Sequence, residues 1–181
     1  MSWFRPCGRP LVVATNNFMN SLETLAVDFR AMQLFAHIGH NRVAGCCFFE
    51  DHAFLGDLYG TYEGVYDDLV ERMIGLGKSP DLWQISEAAD KELQSMRAGS
   101  SSQDYLAKLL KCEKDICEEI EGLVEDAECS QATINMLVQF ADDSEKRQYK
   151  LQQRLNKLSE TESAGDALDR LASEKQMEEE D

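Results

Sequence analysis

The sequence predicts an all-α fold: a four-helix bundle in which a long crossover, carrying a short helix of its own, joins the second and third helices. Three observations support this prediction. Only three prolines occur, at positions 6, 10 and 80, so the segments between and after them are free to form uninterrupted helices. Apolar residues recur three and four positions apart over most of the chain. No segment shows the strict alternation that is typical of a half-buried strand.

The first helix is predicted over about residues 20–41. Asn20 and Glu23 have the spacing of a capping box, in which two side chains satisfy free backbone amides at a helix start. A further step of four along the apolar seam reaches His40, which therefore lies at the C-terminal end of a core-facing row. The seam consists of Phe18, Leu22, Leu25, Phe29, Met32 and Ala36.

The second helix is predicted over about residues 47–76. It ends at the sequence GLGKSP, in which glycine and proline both act as helix stops. The apolar positions that predict its buried face are Leu55, Leu58, Tyr59, Tyr62, Val65, Tyr66, Leu69, Met73 and Leu76.

Residues 80–103 form the predicted crossover, with a short helix in the middle. The third helix is predicted over about 104–128 and the fourth over about 131–157. Two short joins and one long crossover give the ferritin-like version of the four-helix bundle. The predicted core positions are Leu106, Leu109, Leu110, Ile116, Cys117, Ile120, Leu123 and Val124 on the third helix, and Ile134, Leu137, Ala141, Leu151 and Leu155 on the fourth.

The chain is predicted to form one domain with two flanking segments. Its 181 residues are 43% hydrophobic, which is enough for a single buried core. We assign residues 1–17 to an N-terminal segment, residues 18–157 to the bundle and residues 158–181 to an acidic C-terminal tail. Residues 159–181 carry nine acids and two bases, so the tail is expected to be solvated and flexible.

Composition also limits the partners and the compartment. The net charge of −16 comes without a basic patch, so direct DNA binding is not expected, whereas attraction of metal cations is. No apolar run reaches the roughly 18–20 residues of a membrane span. The six cysteines lack CxxC spacing, which favours reduced thiols and a cytoplasmic protein.

The second helix carries a polar stripe opposite its apolar face. At about 100° per residue the members of this stripe share one side of the helix, directed away from the subunit's own core. His52 and Asp67 are about 22 Å apart along the axis, so they cannot bind one metal within a single helix. The stripe contains His52, Gly56, Gly60, Glu63, Gly64, Asp67 and Glu71.

A second copy of the chain resolves this separation. If two copies of the helix cross antiparallel near Gly60, the histidine end of each meets the carboxylate end of the other, giving two identical sites per dimer. Histidine with carboxylate suits iron, manganese or zinc. The ordinary ferritin di-iron site needs a Glu-x-x-His step, which this chain lacks, so an intersubunit site is the better hypothesis.

These residues resemble the pattern of the Dps-type mini-ferritins, the DNA-binding proteins from starved cells. The pattern is a histidine, a Gly-then-Phe turn, a second histidine twelve residues after the first, an aspartate fifteen further on and a glutamate four later. It reads here His40, Gly45, Phe48, His52, Asp67 and Glu71, and the last helix is also similar to the family's fourth helix. The resemblance covers about residues 18–157.

The resemblance implies a homo-oligomer, a dodecameric hollow shell built from two-fold dimers. It also implies Fe(II) oxidation, with hydrogen peroxide preferred to oxygen, and storage of ferric mineral inside the shell. The metal-binding and catalytic residues would be His40 and His52 of one subunit, facing Asp67 and Glu71 of its mate. DNA binding in the family often uses a lysine-rich arm, which this chain lacks.

Two departures from the family pattern support an alternative. Gly56 stands where the family usually has an acid, and Asn41 replaces the tryptophan that commonly follows the first histidine. The alternative is a ferritin-like structural or scaffolding protein whose metal site is degenerate and inactive. A third hypothesis is a monomeric helical adaptor whose acidic tail recruits a basic partner.

Overall fold

The computed structural model describes residues 16–45, 47–97, 101–125 and 129–178, with side chains described from 18 to 157 within those ranges. Five α-helices and no strand occur in these ranges: α1 (Asn16–Arg42), α2 (Phe48–Gly75), α3 (Leu82–Ser95), α4 (Ser102–Glu125) and α5 (Gln131–Glu178). The all-α prediction is confirmed. The predicted N-terminal segment 1–17 lies outside the described residues, apart from the first two residues of α1.

The four long helices pack as two antiparallel pairs. α1 lies along α2 and α4 lies along α5, while α1 also contacts α4 and the short helix α3 of the crossover. This is the predicted ferritin-like bundle, because each short join places its two helices side by side. Within the described part of the chain, no helix is both long and apolar enough to cross a membrane.

The apolar seams predicted for the helices form one continuous core. Each fully buried Leu, Phe or Met side chain contributes roughly 1.5–3 kcal/mol relative to an exposed one. Every predicted seam residue of α1 is buried. The largest fully buried side chains are Leu22, Leu25, Phe29, Met32, Leu55, Tyr62, Leu69, Met73, Met96, Leu106, Leu109 and Ile120.

The capping box predicted at the start of the first helix is wrong. α1 begins at Asn16, so Asn20 and Glu23 lie inside the helix, where backbone amides already have partners. Both side chains instead bind Lys78: its Nζ donates to Asn20 Oδ1 at 3.4 Å and lies 3.0 Å from a Glu23 carboxylate oxygen. Lys78 follows Gly77, whose positive φ of 89° allows the chain to turn sharply after α2.

The predicted end of the last helix is also wrong. α5 continues to Glu178, well beyond residue 157, through the segment predicted to be a tail. That segment contains no proline and is rich in alanine, leucine and glutamate, which favour helix, so its acidity does not prevent a helical backbone. The ends of α2 lie within one residue of the prediction, and α4 is described to Glu125, while the predicted end at about 128 lies outside the described residues.

Candidate metal centre

The structure brings His40 and His52 together across the turn between α1 and α2. His40 lies in the last turn of α1 and His52 in the second turn of α2. Gly45 in the connecting turn has φ of 94°, a conformation that glycine adopts without strain. The two imidazole rings stack with their centroids 3.6 Å apart and both are half-buried.

Reciprocal hydrogen bonds fix the two rings. Nδ1 of His40 lies 2.7 Å from the carbonyl oxygen of His52, and Nδ1 of His52 lies 2.7 Å from the carbonyl oxygen of His40. A carbonyl oxygen only accepts, so both Nδ1 atoms must carry a proton and donate it. In the neutral rings this leaves the lone pair on each Nε2. Second-shell bonds of this kind orient metal-binding histidines, so the pair has the tautomer that metal binding by Nε2 requires.

Aromatic side chains surround the histidine pair. The ring of Phe48 stacks on His52 with centroids 4.9 Å apart, and Tyr59 meets His40 edge-on at 5.4 Å. His37, one turn before His40, packs on Tyr59 at 4.7 Å and is exposed. These aromatic contacts restrict the rotation of the two imidazole rings.

Gly56 is part of the same arrangement. A Cβ atom at this position would lie 3.3 Å from both Cε1 and Nδ1 of His40, which is tighter than ordinary van der Waals contact. The His40 ring therefore lies over the backbone of Gly56. A carboxylate at this position would require His40 to move, so the departure from the family pattern and the stacked histidine pair are structurally linked.

A buried ion pair anchors the start of α2 next to the histidines. Asp51, which is 1% exposed, accepts a 2.7 Å hydrogen bond from Nε of Arg154 on α5. Arg154 also donates to the sulfur of Cys47, the residue before α2. No sequence signal indicates this pair, because the two residues are 103 positions apart and no local pattern links them.

The two carboxylates of the predicted site lie elsewhere. Asp67 and Glu71 are exposed near the C-terminal end of α2, and α2 is continuous from His52 to both of them. At 1.5 Å per residue His52 and Asp67 are about 22 Å apart along the helix. Within the described residues no carboxylate or thiol joins the histidine pair to form a three-ligand group. That Asp67 and Glu71 meet the histidine pair of a second subunit stays a prediction.

The centre of the bundle holds a different polar cluster. Glu113, fully buried on α4, is bound by Nε of Arg147 at 2.5 Å and by the Tyr62 hydroxyl at 2.6 Å. Ser144 donates to its other carboxylate oxygen at 2.7 Å. Burial and the adjacent Glu113 charge raise the pKa of Tyr62 well above its ordinary value, so the phenol keeps its proton. A buried ion pair with its hydrogen bonds therefore occupies this part of the bundle core.

Comparison with known proteins identifies the family of this fold. Residues 22–161 match the model of the ferritin-like domain family. The "DNA protection during starvation protein" of Helicobacter pylori is 28% identical over 124 residues, which cover 67% of this chain and 84% of that protein.

Solved structures share the fold. A Dps of Mycobacterium smegmatis superimposes with a TM-score of 0.68 at 21% identity, covering 86% of this chain and 94% of that one. A dodecameric thioferritin of Bacteroides fragilis gives a TM-score of 0.72 at 13% identity, covering 82% and 89%. The chain belongs to the ferritin-like family, and the proteins it matches include Dps-type mini-ferritins.

Proposed function

We propose that this chain is a Dps-like ferroxidase and iron-storage protein that oxidises Fe(II) with hydrogen peroxide at sites shared between two-fold-related subunits. His40 and His52 of one subunit and Asp67 and Glu71 of its mate bind the iron. The assembly is a homo-oligomeric hollow shell, a dodecamer like the Bacteroides fragilis thioferritin, with the ferric mineral stored inside. A cytoplasmic location remains part of this proposal.

The observation that carries the proposal is the hydrogen-bonded pair of His40 and His52. The Nδ1 of each half-buried imidazole donates to the backbone carbonyl of the other residue, so both Nε2 lone pairs stay available for a metal ion. Neutral imidazole nitrogen with carboxylate oxygen is a suitable ligand set for Fe(II).

The free surface of α2 supports a site made by two subunits. Nothing lies within 4 Å of a Cβ atom built on Gly60 or Gly64, so another helix can approach this face closely. The face has histidines at one end and acids at the other, with Gly60 near the middle. An antiparallel crossing at Gly60 therefore pairs unlike ends and forms two equivalent sites.

The proposed reaction is a two-electron reduction of peroxide. Two Fe(II) ions each give one electron, the O–O bond of H₂O₂ breaks, and two protons complete two water molecules. The side chains hold the iron so that both electrons reach one peroxide and no hydroxyl radical leaves the site. The chain's net charge of −16 attracts the Fe(II) substrate and suits deposition of Fe(III).

The test is peroxide-driven oxidation of Fe(II) by the purified chain, followed by the rise in ferric absorbance. His52→Ala is expected to lower the rate at least about tenfold, because it removes one ligand and one of the two reciprocal hydrogen bonds. His37→Ala, at the exposed neighbouring histidine, serves as the matched control and is expected to stay within about twofold of the parent. No oxidation above the buffer rate by the parent would refute the proposal.

One observation favours the inactive alternative. Gly56 lies under the His40 ring and has no side chain. The site therefore has no acid at the position where the family usually supplies one. A scaffold that keeps the helical interface without iron chemistry would retain this arrangement. Metal content separates the two functions: iron in the purified assembly that is lost with His52→Ala supports the ferroxidase, and an iron-free assembly supports the scaffold.

A further inference from the structure

A second group of potential metal ligands lies between α4 and α5. Cys117 and Glu121 are one helical turn apart on α4, and Glu145 faces them from α5. One ligand atom from each, the thiol sulfur and two carboxylate oxygens, lie within 4.8 Å of one another. Among the described residues no other three His, Cys, Asp or Glu side chains meet in this way. The group shares no residue with the histidine pair.

The thiol distinguishes this group from a solvated pair of acids. Cys117 is 7% exposed, and its sulfur is directed toward two carboxylates that are themselves exposed. Gln148 lies next to the sulfur, and its amide nitrogen donates to Ser144 Oγ and to the backbone oxygen of Glu113. A buried thiol beside two exposed carboxylates offers a soft ligand that a solvated pair of acids lacks.

The two carboxylates of the group have no ion-pair partner among the described residues. No described lysine or arginine lies within ion-pair distance of Glu121 or Glu145, whereas the neighbouring Asp142 is paired with Lys146 at 2.6 Å. A cation bound between the three side chains would compensate the two carboxylate charges, and coordination to it would deprotonate the thiol.

We propose that Cys117, Glu121 and Glu145 form a binding site for a divalent cation of borderline softness, of the Zn(II) and Co(II) class, at the α4–α5 seam. One sulfur and two carboxylate oxygens suit this class, in which Zn–S is about 2.3 Å and Zn–O about 2.0–2.2 Å. The ligand atoms lie within 4.8 Å of one another, so the side chains close around the cation when it binds. Glu121 and Glu145 also line an open cleft of about 390 Å³, which leaves room for a water molecule as fourth ligand.

The hydrogen bonds behind the thiol connect the site to the centre of the bundle. Gln148, which lies next to Cys117, donates to Ser144 Oγ and to the backbone oxygen of Glu113, both at 3.3 Å. The cation would therefore join the surface of α4 and α5 to the buried Glu113 cluster. Its role is structural, and occupation of the site is expected to raise the unfolding temperature of the chain.

The experiment is a titration of the full-length, chelator-treated chain with cobalt(II), followed by the thiolate-to-cobalt charge-transfer absorption in the near ultraviolet. We expect this absorption to saturate in the parent, to disappear in Cys117→Ser, and to require at least tenfold more cobalt in Glu121→Gln and Glu145→Gln. Both glutamates are exposed, so these two variants are expected to fold like the parent.

Matched controls are Cys112→Ser, at a half-buried thiol on the same helix, and Glu118→Gln, at an exposed acid of α4. Both are expected to leave the absorption and its cobalt dependence unchanged, as is His52→Ala, since the histidine site supplies no thiolate. The proposal is overturned if the parent shows no charge-transfer band, if the band survives Cys117→Ser, or if His52→Ala removes it. A failure of peroxide-driven iron oxidation would leave this result unaffected.

Discussion

The ring of Tyr105 packs directly on the backbone of Gly39. A Cβ atom built on Gly39 would lie 2.9 Å from Cδ1 of Tyr105 and 3.3 Å from Cδ1 of Leu55. Both side chains are buried, so neither has free space to move into. This contact sets the distance between α1 and α4 one residue before His40, so it also fixes the backbone that carries the first histidine.

Replacing Gly39 tests this contact. Gly39→Ala is expected to destabilise the chain by up to about 2 kcal/mol, because overpacking costs about 1–3 kcal/mol and the helix-propensity gain offsets only about 1 kcal/mol. The control is Gly122→Ala on α4, where nothing lies within 4 Å of an added Cβ and the change is expected to be neutral or stabilising. Urea unfolding measures both, and an alanine at 39 that stabilises as much as one at 122 would contradict the packing argument.

Gly60 is predicted to lie where two copies of α2 cross. Nothing within the subunit lies within 4 Å of a Cβ at Gly60, so Gly60→Leu is expected to leave the fold of the subunit intact. It is also expected to break the two-fold dimer and any larger shell, because a leucine side chain holds the two backbones apart. Sedimentation velocity measures the assembly and circular dichroism the fold; a fully assembled Gly60→Leu shell would place the crossing elsewhere.

The raised pKa of Asp28 predicts how the free energy of unfolding depends on pH. Burial, together with the charges of Glu119, Glu92 and Asp115, raises the pKa of Asp28 to about 7. Lys111 also lies on this side of α4, paired with Asp115. The folded chain therefore keeps a proton on Asp28 that the unfolded chain loses near pH 4. The stability contributed by this proton is full below about pH 4 and is lost as pH rises through about 7.

The variant for this prediction is Asp28→Asn. One pKa unit corresponds to about 1.4 kcal/mol, so we expect this substitution to raise the free energy of unfolding by at least about 1 kcal/mol at pH 8 and to change it little at pH 4. Glu118→Gln, at an exposed acid of α4, is the control. Urea unfolding of all three proteins at both pH values measures the difference; equal effects of Asp28→Asn at pH 4 and pH 8 would contradict the assignment.

The stability that the buried Glu113–Arg147 ion pair gives the chain is expected to depend on both side chains. Arg147→Met leaves the buried carboxylate without its cation, which is expected to cost roughly 3–5 kcal/mol. The double variant Glu113→Leu with Arg147→Met removes both charges and is expected to lose much less. Chemical denaturation of the two variants gives the comparison, and a single variant as stable as the double one would show that the pair is not coupled.

The helices could largely be predicted from the sequence because their periodicity is local. The seams of α1 and α2 require no knowledge of their neighbours, and Gly77 marks the end of α2 by its own backbone chemistry. The predicted end of the fourth helix at about residue 157 is wrong, because the segment that follows has helix propensity as well as acidity. The capping box predicted at Asn20 is wrong because its spacing also occurs inside a helix.

The candidate site could be predicted only in part. The spacing of His40 and His52 indicated that they belong together, but their stacking depends on the turn at Gly45 and on the absence of a side chain at Gly56. The pairing of Asp51 with Arg154 depends on the register of α2 against α5, which no local pattern encodes. Glu113 did carry a signal, since it lies on the apolar face of α4 between the buried Leu109 and Ile116.

The most direct test of a site shared between subunits is complementation between two inactive variants. His52→Ala and Asp67→Ala subunits are unfolded, mixed in equal amounts and refolded, and peroxide-driven Fe(II) oxidation is compared with each variant refolded alone. If each site takes histidines from one chain and acids from the other, random pairing makes half of the dimers mixed, and each of these has one intact site. The mixture is then expected to recover about a quarter of the parent activity. A mixture no more active than its two components would contradict a site shared between subunits.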